Sequence, residues 1–224
     1  DDQMFELTPL GQCLCSENMA PLALMFLSDW HEKAWSNLSY SVKSGNPAFE
    51  HTFNKKAFDW MEKEPEVRTV FDQAQGIKAR GLVKAVINAY DFSDLSFVCD
   101  IGGGQGSFLR EILKAYPHLK GIVSDLPGVM PSAQKTIIES NLQDRFSAIS
   151  CDFFKDAPPA GDLYSLVNVL HDWEDDACYL ILKNIVKVMD KDSRLLIVEY
   201  IVEPGPEFSV AKLLDLEVLV MGGG

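Results

Sequence analysis

The sequence predicts an α/β protein, a parallel sheet with helices on both faces, preceded by a mostly helical segment. Three observations predict it. After Asp91, short apolar runs alternate with amphipathic stretches of helical period. Those runs are nearly continuous in apolar residues, as strands covered on both faces are. Before Asp91, apolar residues recur at helical spacing alone.

In chain order, Asn18 to Tyr40 carries Leu22, Met25, Phe26, Trp30, Ala34 and Leu38 at helical spacing and is predicted as one helix, stopped by Ser44-Gly45-Asn46-Pro47. A second helix starts at Pro65, a favourable first-turn residue, with the stripe Val67, Val70, Phe71, Ala74, Ile77, Leu82, Ala85, Val86 and Ala89. Gly81 within it reads as a break or a place of close packing. Strands are predicted over Leu95–Ile101, Gly121–Asp125, Phe146–Cys151, Leu163–Leu170 and Arg194–Val202. Helices fall between and after them: one through Phe108, Leu109, Ile112, Leu113 and Tyr116, then Ser132–Ser140, Ala177–Met189 and Ser209–Met221. The chain thus reads as three sections, 1–17, 18–90 and 91–224, with no internal repeat.

The 224 residues are 47% hydrophobic and 24% charged, a composition that buries a core rather than stays disordered. A net charge of -13 repels nucleic acid and anionic lipid, so neither is an expected partner. The longest apolar run, Pro21 to Leu27, is too short to span a bilayer, and Asp1-Asp2 opens no signal peptide, so a cytoplasmic protein is expected. Of five cysteines, Cys13 and Cys15 form C-x-C, while Cys99, Cys151 and Cys178 lack metal-like spacing. They read as reduced structural thiols.

The first motif runs Phe97-Val98-Cys99-Asp100-Ile101-Gly102-Gly103-Gly104-Gln105-Gly106, a strand entering a glycine-rich turn before a helix. Such a turn lets a ligand approach backbone N–H groups at a helix start. Asp125, ending the next strand, is placed to accept bonds from ribose hydroxyls. The alternation Gly102, Gly104, Gly106 satisfies no G-x-G-x-x-G register, because Ser107 or Leu109 takes the last position. Asp100 would oppose a pyrophosphate but suits a ligand with an ammonium and a sulfonium. Both points disfavour a nicotinamide dehydrogenase.

The second motif is Val169-Leu170-His171-Asp172-Trp173-Glu174-Asp175-Asp176. His171 falls at the carboxyl end of a strand, where parallel sheets bind ligands, and histidine titrates near neutrality. It can take a proton from a hydroxyl, with Glu199 orienting the ring; otherwise it is an ordinary loop residue. Asp175 and Asp176 read as cap and first-turn acids. A metal at Asp172, Glu174, Asp175 and Asp176 has no histidine at suitable spacing, and none is expected. Trp173 is either core or an aromatic that stacks on adenine.

These segments resemble, in order, the caffeic acid and N-acetylserotonin O-methyltransferase family: DIGGGQG (100–106), SDLPGV (124–129), CDFF (151–154), LHDWEDD (170–176), LLIVEYIVEP (195–204) and LDLEVLVMGGG (214–224). ELTPLGQCL (6–14) looks like the tail of that family's winged-helix segment. The resemblance implies a Rossmann-like class I methyltransferase domain over 91–224, substrate-pocket helices over 18–90 and a dimerisation remnant over 1–17. It implies S-adenosylmethionine as cofactor, with Asp100, Gly102, Gly104 and Gly106 at its methionine end, Asp125 and Leu126 at the ribose, and Asp152, Phe153 and Trp173 around the adenine. His171 would be the general base, Glu199 its partner, and Asp172 and Phe71 contacts of a small phenolic acceptor.

The chain departs from the pattern at Val167 and Asn168, where family members often carry a Lys or Arg, and it stops before the family's second glutamate. A fragment of a longer homodimeric protein, lacking its final strands, is the expectation. Same-fold enzymes that decarboxylate or hydroxylate remain the alternative chemistry. A non-catalytic interaction module gains nothing from polar groups gathered at strand ends.

Overall fold

The computed structural model describes residues 4–15 and 19–222. The predicted helix start at Asn18, the closing Gly223-Gly224, and residues 1–3, 16 and 17 of the first section lie outside them. Two compact units are present, one of residues up to Lys78 with Val220–Gly222, the other Ala79–Leu219.

The first unit is helical. It contains α1 (Pro9–Cys13), α2 (Ala20–Phe26), α3 (Asp29–Trp35), α4 (Leu38–Ser44), α5 (Ala48–Phe53) and α6 (Ala57–Met61), then the first half of α7 (Pro65–Ala89). The single helix expected over 18–40 is three. Ser28 adopts extended backbone (φ -76°, ψ 147°) before Asp29, and Asn37 precedes α4, so two polar cap-type residues restart the helix where the apolar stripe continued in phase. Helices α5 and α6 were not anticipated. Left-handed Gly45 and Asn54 bracket α5, and Phe49 on it is wholly buried with Met25, Met61 and Ala74. Helix α7 runs unbroken past Gly81, where an added Cβ would meet nothing within 4 Å, so this glycine marks neither a break nor tight packing.

The second unit is a five-stranded, all-parallel sheet: β1 (Phe97–Ile101), β2 (Lys120–Asp125), β3 (Phe146–Ser150), β4 (Leu163–Val167) and β5 (Arg194–Val198), in spatial order β3-β2-β1-β4-β5. Side chains alternate faces. On one face Val98, Val123 and Leu163 pack with Val83 and Val86 of α7, with Phe108, Leu109, Ile112 and Leu113 of α8 (Ser107–Ala115), and with Ala133 and Ile137 of α9 (Met130–Ser140). On the other, Cys99, Ile101, Tyr164 and Leu166 pack with Ile181 and Ile185 of α10 (Asp175–Val186). The last helix, α11 (Val210–Met221), carries Val220 into the core of the first unit.

Four predicted strands are shorter than expected: β1 starts two residues late, at Phe97, β3 stops one early, at Ser150, and the last two stop well short. β4 ends at Val167 because Asn168 turns left-handed (φ 53°) and Leu170–Asp172 forms a 3₁₀ turn. β5 ends at Val198 because its ladder partner β4 ends opposite it at Val167, and the next residue, Glu199, bonds the turn after β4. The cap of α10 is Glu174, not Asp175, and both aspartates occupy its first turn.

Candidate active site

Where β1 and β4 lie side by side the strand order reverses, and parallel sheets hold ligands in the crevice outside such carboxyl ends. Each strand delivers a predicted residue to that edge. β1 leads from Asp100 into the glycine loop, β2 ends in Asp125, and Asp152 follows β3 by two residues. His171 sits in the turn after β4, and Glu199 directly follows β5. Phe71 belongs to the helical unit, edge-on to Phe58 with ring centroids 6.1 Å apart.

In the loop, Gly102, Gly104 and Gly106 all take left-handed backbone, with φ of 64°, 59° and 79°. Gly104 faces open space, for a Cβ there would meet nothing within 4 Å, and its N–H donates to Asp125 Oδ2 at 2.8 Å. Gly103, which the alternating pattern passed over, is the tightest position, ahead of Gly106, whose Cβ would lie 2.6 Å from Phe146 Cζ. A Cβ on Gly103 would lie 2.3 Å from Asp100 Oδ2 and 2.7 Å from Val123 Cγ2. No spacing rule reveals this; it follows from the loop lying down on the Asp100 carboxylate.

Asp100 has no accessible surface. Its Oδ1 accepts from Ser165 Oγ at 2.7 Å, while Oδ2 has no partner. Burial raises its pKa to about 7; the Ser165 bond opposes the rise and the Asp125 charge adds to it. The carboxylate thus has no surface open to solvent and lies directly beneath Gly103. Asp125 is already engaged with the loop, its Oδ1 accepting from the Leu126 N–H at 2.7 Å, and the Leu126 side chain is about half exposed.

After β3, Asp152 organises its own turn. Oδ1 accepts from the Phe154 N–H at 3.1 Å and Oδ2 from Lys155 Nζ at 2.6 Å, and that lysine holds the carboxyl below its ordinary range. The Phe153 ring stands against the glycine loop, its Cε1 3.3 Å from where a Gly102 Cβ would be. Phe153, Phe154 and Trp173 meet edge to face, with centroids 4.7–5.9 Å apart. Trp173 thus packs, partly buried, against the core beside Phe153.

The turn after β4 is pinned from two sides. Glu199 Oε1 accepts from the Val169 and Leu170 N–H groups, both at 2.9 Å, and Oε2 lies 2.6 Å from His171 Nδ1. Burial alone would raise the Glu199 pKa; the bond and charge of His171 and the two amides outweigh it, so the carboxyl sits below its usual range. An ionised carboxylate only accepts, so the proton of this bond belongs on Nδ1. Nε2 is 3.6 Å from Asp172 Oδ1. From behind, the Cys178 thiol reaches the Leu170 and Trp173 carbonyls, each at 3.3 Å. Burial raises its pKa, with Asp175 and Glu199 adding, so it remains a donor. Sequence reasoning missed Cys178, whose role no spacing announces, and Asn168, whose left-handed φ sets up the turn.

Fold and site together define an α/β unit whose sheet edge gathers a glycine loop after β1 and a histidine–glutamate pair after β4 and β5. The chain belongs to the O-methyltransferase domain family, whose model matches residues 35–224. It is 38% identical over 223 residues to a phenazine O-methyltransferase of Lysobacter antibioticus, covering 98% of this chain and 65% of that protein. It is 33% identical to a mitomycin biosynthesis 6-O-methyltransferase of Streptomyces lavendulae, covering 100% and 64%. The crystal structure of human N-acetylserotonin methyltransferase in complex with SAM superposes with a TM-score of 0.82 at 27% identity, over 92% of this chain and 60% of that one. The chain spans just under two thirds of the length of each.

Proposed function

We propose that the full-length protein is an S-adenosylmethionine-dependent O-methyltransferase that methylates a hydroxyl on a small aromatic molecule, with His171 as general base. One observation carries the reading: His171 Nδ1 lies 2.6 Å from Glu199, whose other oxygen holds the same turn, beside the crevice that the glycine loop borders.

The residues fit the cofactor. Asp100 is a buried carboxylate with one unpartnered oxygen behind the loop, which suits an ammonium and a sulfonium more than a phosphate. Gly104 leaves its open side to the ligand, with Gly102 and Gly106 shaping the loop. Asp125, held by the Gly104 and Leu126 N–H groups at the end of β2, brings a carboxylate to the ribose side of the loop. Phe153 and Trp173 offer the apolar wall for adenine, and Asp152 secures the turn beneath it.

When bound, S-adenosylmethionine supplies a methyl group already activated on a positive sulfur. The chain's own residues then bind, orient and remove a proton. His171 Nε2 accepts the proton of the acceptor hydroxyl, and the Glu199 carboxylate stabilises the imidazolium that results. Asp172, next to Nε2, is assigned to acceptor contact, and Phe71 to the acceptor pocket. The 6–14 resemblance supports a winged-helix dimerisation segment around residues 1–17, a homodimer and cytoplasmic operation. No helix among the described residues is long and apolar enough to cross a membrane.

The test is incubation of the full-length protein with methyl-labelled S-adenosylmethionine and a panel of hydroxylated aromatics. Label transferred to an oxygen by the wild type, and lost in His171→Ala with cofactor binding intact, is the expected result. Thermal stabilisation by NAD but not by S-adenosylmethionine overturns it.

A further inference from the structure

We infer that Asn184, on α10, is a positioning residue for the adenine side of the site and acts through Phe153; this rests on the function proposed above. Asn184 is 3% exposed, in the last turn of α10, and a buried amide is costly without partners. Both ends of its amide are bonded. Nδ2 donates to the Phe153 carbonyl at 2.8 Å, across 31 residues of sequence, and Oδ1 accepts from Lys187 Nζ at 2.7 Å. Lysine only donates and a carbonyl only accepts, so these two partners fix which way the amide points.

The turn that Asn184 grips is otherwise tied to itself. Phe154 N–H, Lys155 N–H and Asp156 N–H all bond back to Asp152, and Asp152 N–H bonds to Asp156 Oδ2. Those bonds set the turn's shape but not its place. The Asn184 bond ties it to α10 and, with the packing of Phe153 and Phe154 on Trp173, sets the height at which the Phe153 ring stands over Gly102. Trp173 packs on the same ring from the His171 turn. A shift of Phe153 moves a wall of the crevice without touching the base or its glutamate.

The experiment is a double-mutant cycle in the full-length protein, reading affinity for S-adenosylhomocysteine and for adenosine by calorimetry, with kcat and the acceptor KM alongside. Asn184→Leu, close in volume, orphans the Phe153 carbonyl and is expected to weaken both ligands about five- to tenfold. The acceptor KM and kcat at saturating cofactor should stay within about twofold. In a Phe153→Ala background the same change should weaken binding no further, because the ring through which it acts is gone. Lys187→Met, at an exposed position, frees the amide to turn and is expected to weaken both ligands about twofold; it decides the matter if the buried variant fails to fold. Unchanged affinity in Asn184→Leu, or in Lys187→Met when that variant decides, overturns the inference. So does an equal loss in both backgrounds, or a fall in kcat alone. A wild-type protein that binds no S-adenosylhomocysteine overturns the proposed function first, and this inference with it.

Discussion

Asp100→Asn is the perturbation whose size the structure sets most directly. The carboxyl is wholly buried, and burial lifts its pKa from 3.8 to about 7. An acid with a raised folded-state pKa contributes full stability below its unfolded value and loses it as pH rises through the folded one. Three units at 1.36 kcal/mol each put about 4 kcal/mol of ionisation penalty into the ligand-free protein above pH 7. Integrated over the accessible window, roughly 2 kcal/mol of that penalty accumulates between about pH 5.5 and 8. Asparagine keeps an oxygen for Ser165 Oγ but never ionises, so its ligand-free stability carries none of this slope. The unbonded position at Oδ2 is a flat cost, about 1–3 kcal/mol once an amide NH₂ occupies it.

The assay is urea unfolding of both proteins, without cofactor, at half-unit steps across that window. The difference in unfolding free energy should move in favour of Asp100→Asn by about 2 kcal/mol from the acid end to the alkaline end and then level off. Other titrating groups are common to both proteins and cancel. The same variant should bind S-adenosylmethionine more weakly, since the buried charge that suits its cationic end is gone. A difference that stays flat with pH refutes the account of Asp100 as a strained, ligand-directed carboxylate.

His171→Ala should lower turnover by about 10²–10⁴-fold while the calorimetric affinity for S-adenosylmethionine holds. Glu199→Gln should cost turnover on a similar scale, about 10²–10⁴-fold, because the new NH₂ faces Nδ1 and drives the ring proton onto Nε2, removing the base; a pH–rate profile checks it. Glu199 has a lowered pKa, so its stability contribution is present above 4.5 and lost as pH falls below it, and acid unfolding should be less steep in Glu199→Gln. Gly103→Ala, with its Cβ driven against Asp100 and Val123, should destabilise by about 3 kcal/mol or more. Gly104→Ala should cost only about 1–2 kcal/mol for its left-handed backbone yet abolish cofactor binding; differential scanning calorimetry with and without ligand separates the two.

Much of the α/β unit is legible because its signals are local and redundant. A strand buried on both faces must be apolar throughout, so Phe97–Ile101 and Leu163–Val167 announce themselves. The chain punctuates each strand end with a residue proposed for the site. The sequence also marked the helical unit, at Ser28-Asp29 and at Ser36-Asn37, but there the apolar stripe ran on through both breaks and the longer period won. Helix α5 escaped because six residues are less than two turns, too few to show a period. What could not be read were particular contacts: Gly103 on Asp100, Cys178 on the 170–173 turn, Asn184 on Phe153. The first two depend on how a turn folds back on its own strand or helix, the third on which elements lie side by side, and spacing shows neither.

Those contacts share a form, and it explains how a shallow edge of a sheet can hold atoms in register. Side chains of fixed elements bond to the backbone of the turns that carry the chemistry. Glu199, one residue past β5, takes two N–H groups of the His171 turn; Cys178, on α10, reaches two of its carbonyls; Asn184, six residues further along α10, holds the turn of Phe153. A turn gripped by its peptide groups keeps its place whatever its outward side chains are, so those side chains are free to vary with the acceptor. The histidine and glycine edge should therefore tolerate change at the crevice lip far better than at these buried grips. An alanine scan that found the lip and the grips equally costly to cofactor affinity would show that the support comes from packing instead.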